Sequence, residues 1–188
     1  MVDAVEVMND MPAIEEGTVV VGTAATPMGA FGAVFTARGL ACLSFTGDSL
    51  KGCEVWVRRW MPEARVARAH PALDRLSAQL SAYLAGTLQE FTVPVDLRGT
   101  EFQMEVWRAL QEIPYGDVRS YAEIAESIGR PKAVRAVGMA NHDNPVPIVV
   151  PCHRVIGSNR TLTGYGGGLD LKEKLLQLEG VLLAEARA

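Results

Sequence analysis

The sequence predicts a mixed α/β (α+β) protein in two parts: a small strand-plus-helix unit, then a mainly helical unit carrying a helix-turn-helix. Three observations predict it. Residues 18 to 45 are rich in Val, Thr and Phe and are cut by Pro27-Met28-Gly29 and Arg38-Gly39, the pattern of short strands joined by turns. After Pro71, leucines at 73, 76, 80 and 84 recur at helical spacing. Beyond Arg98-Gly99 the patterns are mostly helical, and two short ones are separated only by Gly129-Arg130-Pro131.

Taken in order, residues 1–16 read as a flexible acidic tail, 17–97 as an α/β domain and 98–188 as a second domain. Thr18 to Phe45 divides into three short strands. Leu50 to Trp60 is a weakly patterned helix, and Pro71 opens a stronger one, since proline suits a first helical position. Phe91 to Leu97 returns to an extended form. Thr100 caps a helix with Phe102, Val106, Leu110 and Ile113 on one face. Ile113-Pro114-Tyr115-Gly116-Asp117 is a turn. Ser120, with Glu123 placed for a capping box, starts a short helix over Tyr121 to Ile128. Lys132 to Asn141 forms the next, built from Ala133, Val134, Ala136, Val137, Gly138 and Ala140 around Arg135. Two such helices are either a hairpin packed in a core or a DNA-binding helix-turn-helix; the small-residue face and local charge favour DNA.

At 188 residues, 48% of them hydrophobic, the chain can bury a substantial core. No apolar run approaches the ~20 residues of a membrane span. Asp3, Glu6, Asp10, Glu15 and Glu16 precede the first cation, Arg38, unlike a signal peptide, so a cytoplasmic protein is expected. Cys42, Cys53 and Cys152 are too far apart in sequence for a zinc ribbon or disulfide framework, and His70, His142 and His153 add no ligand pattern. No metal and no small-molecule cofactor are expected. The net charge of −4 hides an asymmetry: from Ser127 to Gly168, five cations (Arg130, Lys132, Arg135, Arg154, Arg160) face Asp143 alone, a local +4 that suits a polyanion.

Residues 144 to 155, Asn-Pro-Val-Pro-Ile-Val-Val-Pro-Cys-His-Arg-Val, organise the second part. Their three prolines exclude helix and push the residues before them toward extended backbone, so a stiff, extended, interior segment is expected. Cys152 is followed by His153 and Arg154, an electropositive setting that lowers a thiol pKa; the alternative is an inert buried cysteine. Gly164-Tyr165-Gly166-Gly167-Gly168 precedes a leucine-rich helix but lacks the lysine and hydroxyl of a phosphate loop. Within that helix, continued through Gly180, Glu179 falls on the stripe of Leu175, Leu176, Leu182 and Leu183. A buried carboxylate needs a partner, and His153 is a natural one, giving a Cys-His-Glu series. Adjacent residues of an extended segment point apart, so a Cys152–His153 contact requires a turn or a bridging water.

Pro151-Cys152-His153-Arg154-Val155, preceded by Asn144-Pro145-Val146-Pro147, resembles the active-site signature of the O6-alkylguanine-DNA alkyltransferases. The resemblance runs from Phe102 to Glu179 and includes Ile113-Pro114-Tyr115-Gly116, Ser120-Tyr121, Arg135-Ala136-Val137-Gly138 and Gly164 to Leu169. It implies an RNase H-like first domain and single-turnover direct reversal of damage, with the alkyl group of O6-alkylguanine, or of O4-alkylthymine, moved irreversibly to Cys152. By the same resemblance His153 is a base acting through water, Glu179 orients it and Asn144 is a hinge. Arg135 fills the stack left by a flipped nucleotide, and Tyr121 crowds its phosphate and bonds the guanine. Ser120, Lys132, Ala133 and Val134 complete the DNA-binding set. Pro147, Val155, Tyr165, Gly166 and Gly167 line the substrate pocket. The implied partner is double-stranded DNA entered by the minor groove, with cooperative self-association on DNA left open. Met139 stands where many members have a smaller residue, which would alter packing under the second helix.

Two rivals compete. A damage sensor of the alkyltransferase-like kind transfers nothing but would replace Cys152. A cysteine hydrolase would use Cys152, His153 and Glu179 but leaves Arg135 and the helix-turn-helix without a purpose.

Overall fold

A computed structural model describes residues 12–45 and 48–182. Most of the expected acidic tail, residues 1–11, lies outside the described residues, as does Leu183. The chain forms two compact units, Met1–Leu97 and Arg98–Ala188.

In the first unit, strands β1 (Thr18–Thr26), β2 (Gly29–Thr36) and β3 (Gly39–Ser44) form an antiparallel meander. Each hairpin closes over two residues, at Pro27-Met28 and Ala37-Arg38. Gly39 is required at the second turn: its φ is 140°, and a Cβ there would lie 2.3 Å from the Pro94 carbonyl oxygen. That close approach lets Val95 bridge to Leu40, which is what remains of the expected extended run 91–97. A fourth strand, β4 (Arg65–Ala67), pairs parallel with β1. It escapes sequence reading because it is three residues long and mostly exposed, with no alternation to betray it. Helix α1 (Ser49–Trp60) packs Cys53, Trp56 and Val57 onto Val19, Val21, Val34 and Ala41. Side chains alternate along a strand, so Gly22 lies on the opposite face, where Leu73 of α2 (Pro71–Leu84) closes over it.

The second unit holds α3 (Glu101–Gln111), α4 (Tyr121–Ser127), α5 (Val134–His142) and α6 (Leu169–Leu178), with a parallel pair of two-residue strands, β5 (Arg119–Ser120) and β6 (Val155–Ile156). Thr100 and Ser120 each close a full capping box, with Gln103 and Glu123 as the reciprocating residues. Buried Trp107 ties α3 to α5 by donating to the Ala140 carbonyl at 2.8 Å.

Three expectations need correction. The second helix of the pair starts at Val134, not Lys132: Gly129 takes a left-handed φ of 70°, and Ala133 N–H closes a turn onto Arg130, leaving Lys132 and Ala133 before the helix. Segment 144–155 is not extended throughout. Ile148 has φ 74°, Val150 N–H returns to the Val146 carbonyl at 2.9 Å, and Cys152–Arg154 form a 3-10 turn. The prolines exclude helix but leave turns available. Met139 does not lie beneath the second helix; it is 62% exposed on the outer face.

Candidate active site

The 3-10 turn supplies the bend that an extended segment would lack. Cys152, His153 and Arg154 are all buried within it. Two asparagines hold it. Asn141, near the end of α5, donates to the Cys152 carbonyl at 3.3 Å. Asn144 donates to the Val150 carbonyl at 2.8 Å and accepts from Val146 N–H at 3.0 Å. Helix α5 thus buries Val137, Ala140 and Asn141, the last of them against the site, and leaves Arg135, Ala136 and Met139 exposed.

Glu179 is buried, but not as a mid-helix residue. Helix α6 stops at Leu178, because Gly180 adopts φ 79° and closes a Schellman cap: Gly180 N–H to Gln177 and Val181 N–H to Leu176. Glu179 is thus the capping residue, and its carboxylate gathers four donors. His153 Nε2 lies 2.9 Å from Oε1, Arg154 binds both oxygens at 2.9 Å each, and Gly116 N–H reaches Oε2 at 3.2 Å. Arg154 also donates to the Ile113 carbonyl, and Tyr115 to the Leu178 carbonyl. The 113–116 turn therefore clasps the end of α6. A buried ion pair offsets its desolvation only with such complete hydrogen bonding.

This arrangement overturns the expected electropositive cysteine. The Arg154 charge is committed to Glu179. Burial pushes the Cys152 thiol up to about 11, although a hydrogen bond from Asn144 and the nearby Lys172 ammonium partly counteract it. Burial likewise lowers the His153 pKa, against the pull of Glu179. Lys172 is itself buried and donates to the Val155 and Thr163 carbonyls, with burial lowering it to about 8.

The remaining expected residues are distributed as follows. Tyr121, half-buried, donates to the Thr163 or Gly164 carbonyl at 3.0 or 3.2 Å, so it sits against the glycine run. Val155 is buried, Pro147 bridges to Val150, and Tyr165 and Gly167 are partly covered; Gly166 is exposed beside the His142 carbonyl. Ser120 is taken up with capping α4. Arg135 and Lys132 are exposed. Of the local cations, Arg130 is instead paired to Glu105 through two bonds of 2.8 and 3.0 Å. A cavity of about 940 Å³ lies against α3 and α4, away from Cys152. Among the described residues no cluster of three His, Cys, Asp or Glu could hold a metal ion, and no helix is long and apolar enough to cross a membrane.

Sequence reasoning missed Arg154 as the partner of Glu179, and missed Lys172 and Asn141 altogether. Lys172 was findable: it lies three and four residues before Leu175 and Leu176, on the stripe that ends at Glu179.

Residues 101–181 match the family model for the 6-O-methylguanine DNA methyltransferase DNA-binding domain. A methylated-DNA–protein-cysteine methyltransferase of Mycolicibacterium paratuberculosis is 68% identical over 101 residues, 54% of this chain and 61% of that protein. The inducible enzyme of that name from Bacillus subtilis is 47% identical over 77% of this chain and 83% of its own. The chain belongs to the methylated-DNA–protein-cysteine methyltransferase family. The solved Mycobacterium tuberculosis O6-methylguanine methyltransferase is 44% identical, with a TM-score of 0.72 over 86% of this chain and 93% of that one. A structure of Mycobacterium tuberculosis OGT in complex with DNA gives 44% identity and a TM-score of 0.73. The family model's match lies within the second unit, and the chain spans about three fifths of the length of the Mycolicibacterium relative.

Proposed function

We propose that this protein repairs double-stranded DNA by direct reversal, moving the alkyl group of O6-alkylguanine irreversibly to Cys152. The observation that carries this is the buried hub in which Glu179 grips both His153 and Arg154 directly beside Cys152. Residues 98–188 would be the acting domain, and the cytoplasm its compartment.

The target carbon is out of reach inside a duplex, so the nucleotide must leave the stack; Arg135, exposed on α5, would fill the gap. His153, anchored through Nε2, would take the thiol proton through its buried Nδ1 and a water. The thiolate attacks the alkyl carbon, a C–S bond forms, and the C–O6 bond breaks with its electron pair leaving on guanine. Tyr121, whose pKa is raised by burial, stays a hydrogen-bond donor and can neutralise that leaving group. Pro147, Val155 and the Tyr165–Gly167 run would bound the alkyl pocket. The thioether does not hydrolyse, so each molecule acts once.

Intact-protein mass measurement after incubation with O6-methylguanine duplex tests this. One methyl adduct is expected on the wild type and none on Cys152→Ser. An adduct that persists on the serine variant would move the acceptor to Cys42 or Cys53 and end the assignment.

A further inference from the structure

Arg160 is one of two non-glycine residues among those described with a left-handed backbone, at φ 64°. A side chain with a Cβ disfavours that conformation. The turn enforces it: Gly157 N–H donates to the Thr161 carbonyl at 2.9 Å and Arg160 N–H to the Gly157 carbonyl at 2.9 Å. Asn159 Oδ1 fixes Thr161 by accepting from its amide and its hydroxyl, at 3.3 and 2.7 Å. The position suits glycine, yet it holds an arginine.

Arg119 explains what that arginine could serve. Strand β5 pairs Arg119 with Val155 of β6, and the Arg160 turn continues directly from β6. Both arginines therefore line one polar cavity of about 220 Å³, together with Ser120, Ser158 and Glu123. Among the described residues neither guanidinium closes an ion pair with a carboxylate. Glu123, the one acid there, has its carboxylate engaged by Ser120 N–H at 2.6 Å in the capping box, and the two nearby arginine charges help to lower its pKa without pairing to it. Two like charges are thus held at one small hollow, one of them on disfavoured backbone. Strain of this kind persists where the surrounding structure imposes it, and it gathers at functional sites.

The geometry points to a phosphate subsite in which Arg119 and Arg160 together hold one phosphodiester group of the DNA backbone. Guanidinium forks match phosphate oxygens in geometry and charge. The subsite rests on the reading of this unit as DNA-binding, and Ser120 places it beside the start of α4. It is separate from the Cys152 hub and from Arg135.

The test is binding of undamaged duplex across a salt series, with wild type, Arg160→Gly, Arg119→Ala and Lys174→Ala. Each phosphate contact contributes roughly 0.9 to the log–log salt slope, which at ~0.1 M salt makes it worth about eightfold in affinity. Arg160→Gly and Arg119→Ala should each lower the slope by about 0.9 and weaken binding by up to about eightfold. Lys174→Ala, an equal loss of charge on α6, should leave both near wild type. Arg160→Gly has a second readout: glycine accepts φ 64°, so its melting temperature should hold or rise by up to about 3 °C while binding falls. A lower melting temperature with an unchanged slope would make Arg160 a turn residue and overturn the subsite. Wild-type slopes in both arginine variants would remove the subsite alone, whereas a wild type that binds no duplex would remove the DNA reading with it.

Discussion

With its thiol pushed up to about 11, Cys152 carries a thiolate in only about one molecule in 10⁴ at pH 7. His153, held below its usual range by burial, is neutral there and can accept a proton. In the proposed transfer the proton would therefore move during the reaction instead of being absent beforehand. Alkylation of Cys152 by iodoacetamide, followed by peptide mass, should accelerate about tenfold per pH unit between pH 7 and 10, because only the thiolate reacts and its fraction is still climbing. A plateau near neutrality would show a depressed pKa. The Pro-Cys-His-Arg run and a buried Glu179 are legible in the sequence. That Arg154 spends its charge on Glu179 is not, since a partner 25 residues away is set by where the chain folds back. Reading Cys152 by its cationic neighbours alone gives the wrong direction for the pKa, because burial outweighs them.

At the scale of elements, the end of α6 positions the carboxylate. Leucine spacing reveals the helix but not its stop, because Leu182 and Leu183 continue the pattern past Gly180. The left-handed glycine decides, and Glu179 becomes the capping residue. A methyl group at Gly180 would meet nothing within 4 Å, so the cost of Gly180→Ala is conformational, about 1–2 kcal/mol. Denaturant unfolding should show that loss, and the single-turnover transfer rate should fall with it as the Glu179–His153 contact loosens. An unchanged rate in a destabilised variant would separate the cap from the chemistry. Helix starts are legible where side chains cap them, as at Thr100 and Ser120. Helix α5 has no side-chain cap, and it starts two residues later than its sequence pattern suggests. The pair β5–β6 is illegible for a similar reason: two residues carry no period.

Over the whole molecule, a net charge of −4 repels DNA. The local count of +4 overstates the opposing case, because Arg130 is engaged by Glu105 and Arg154 by Glu179. Lys132, Arg135 and Arg160 remain exposed from that stretch, and Arg119 joins them from β5. Three or four such contacts predict a log–log salt slope of roughly −3 to −4 for duplex binding. A slope near −1 would place the DNA on another surface. The two-part architecture is legible because strand and helix periods change at about residue 98. Which cations stay available is not legible, since pairing is a property of the folded surface.

The order of synthesis gives the Glu179 hub one more consequence. A ribosome releases α4 and α5 first, then Cys152, and Glu179 emerges only 25 residues after Arg154. Until it does, Arg154 has no carboxylate to enter the interior with, and the turn bearing the thiol has no anchor. A growing chain would thus display its helix pair before it can react. A truncated product lacking α6 would carry the cysteine without the means to use it.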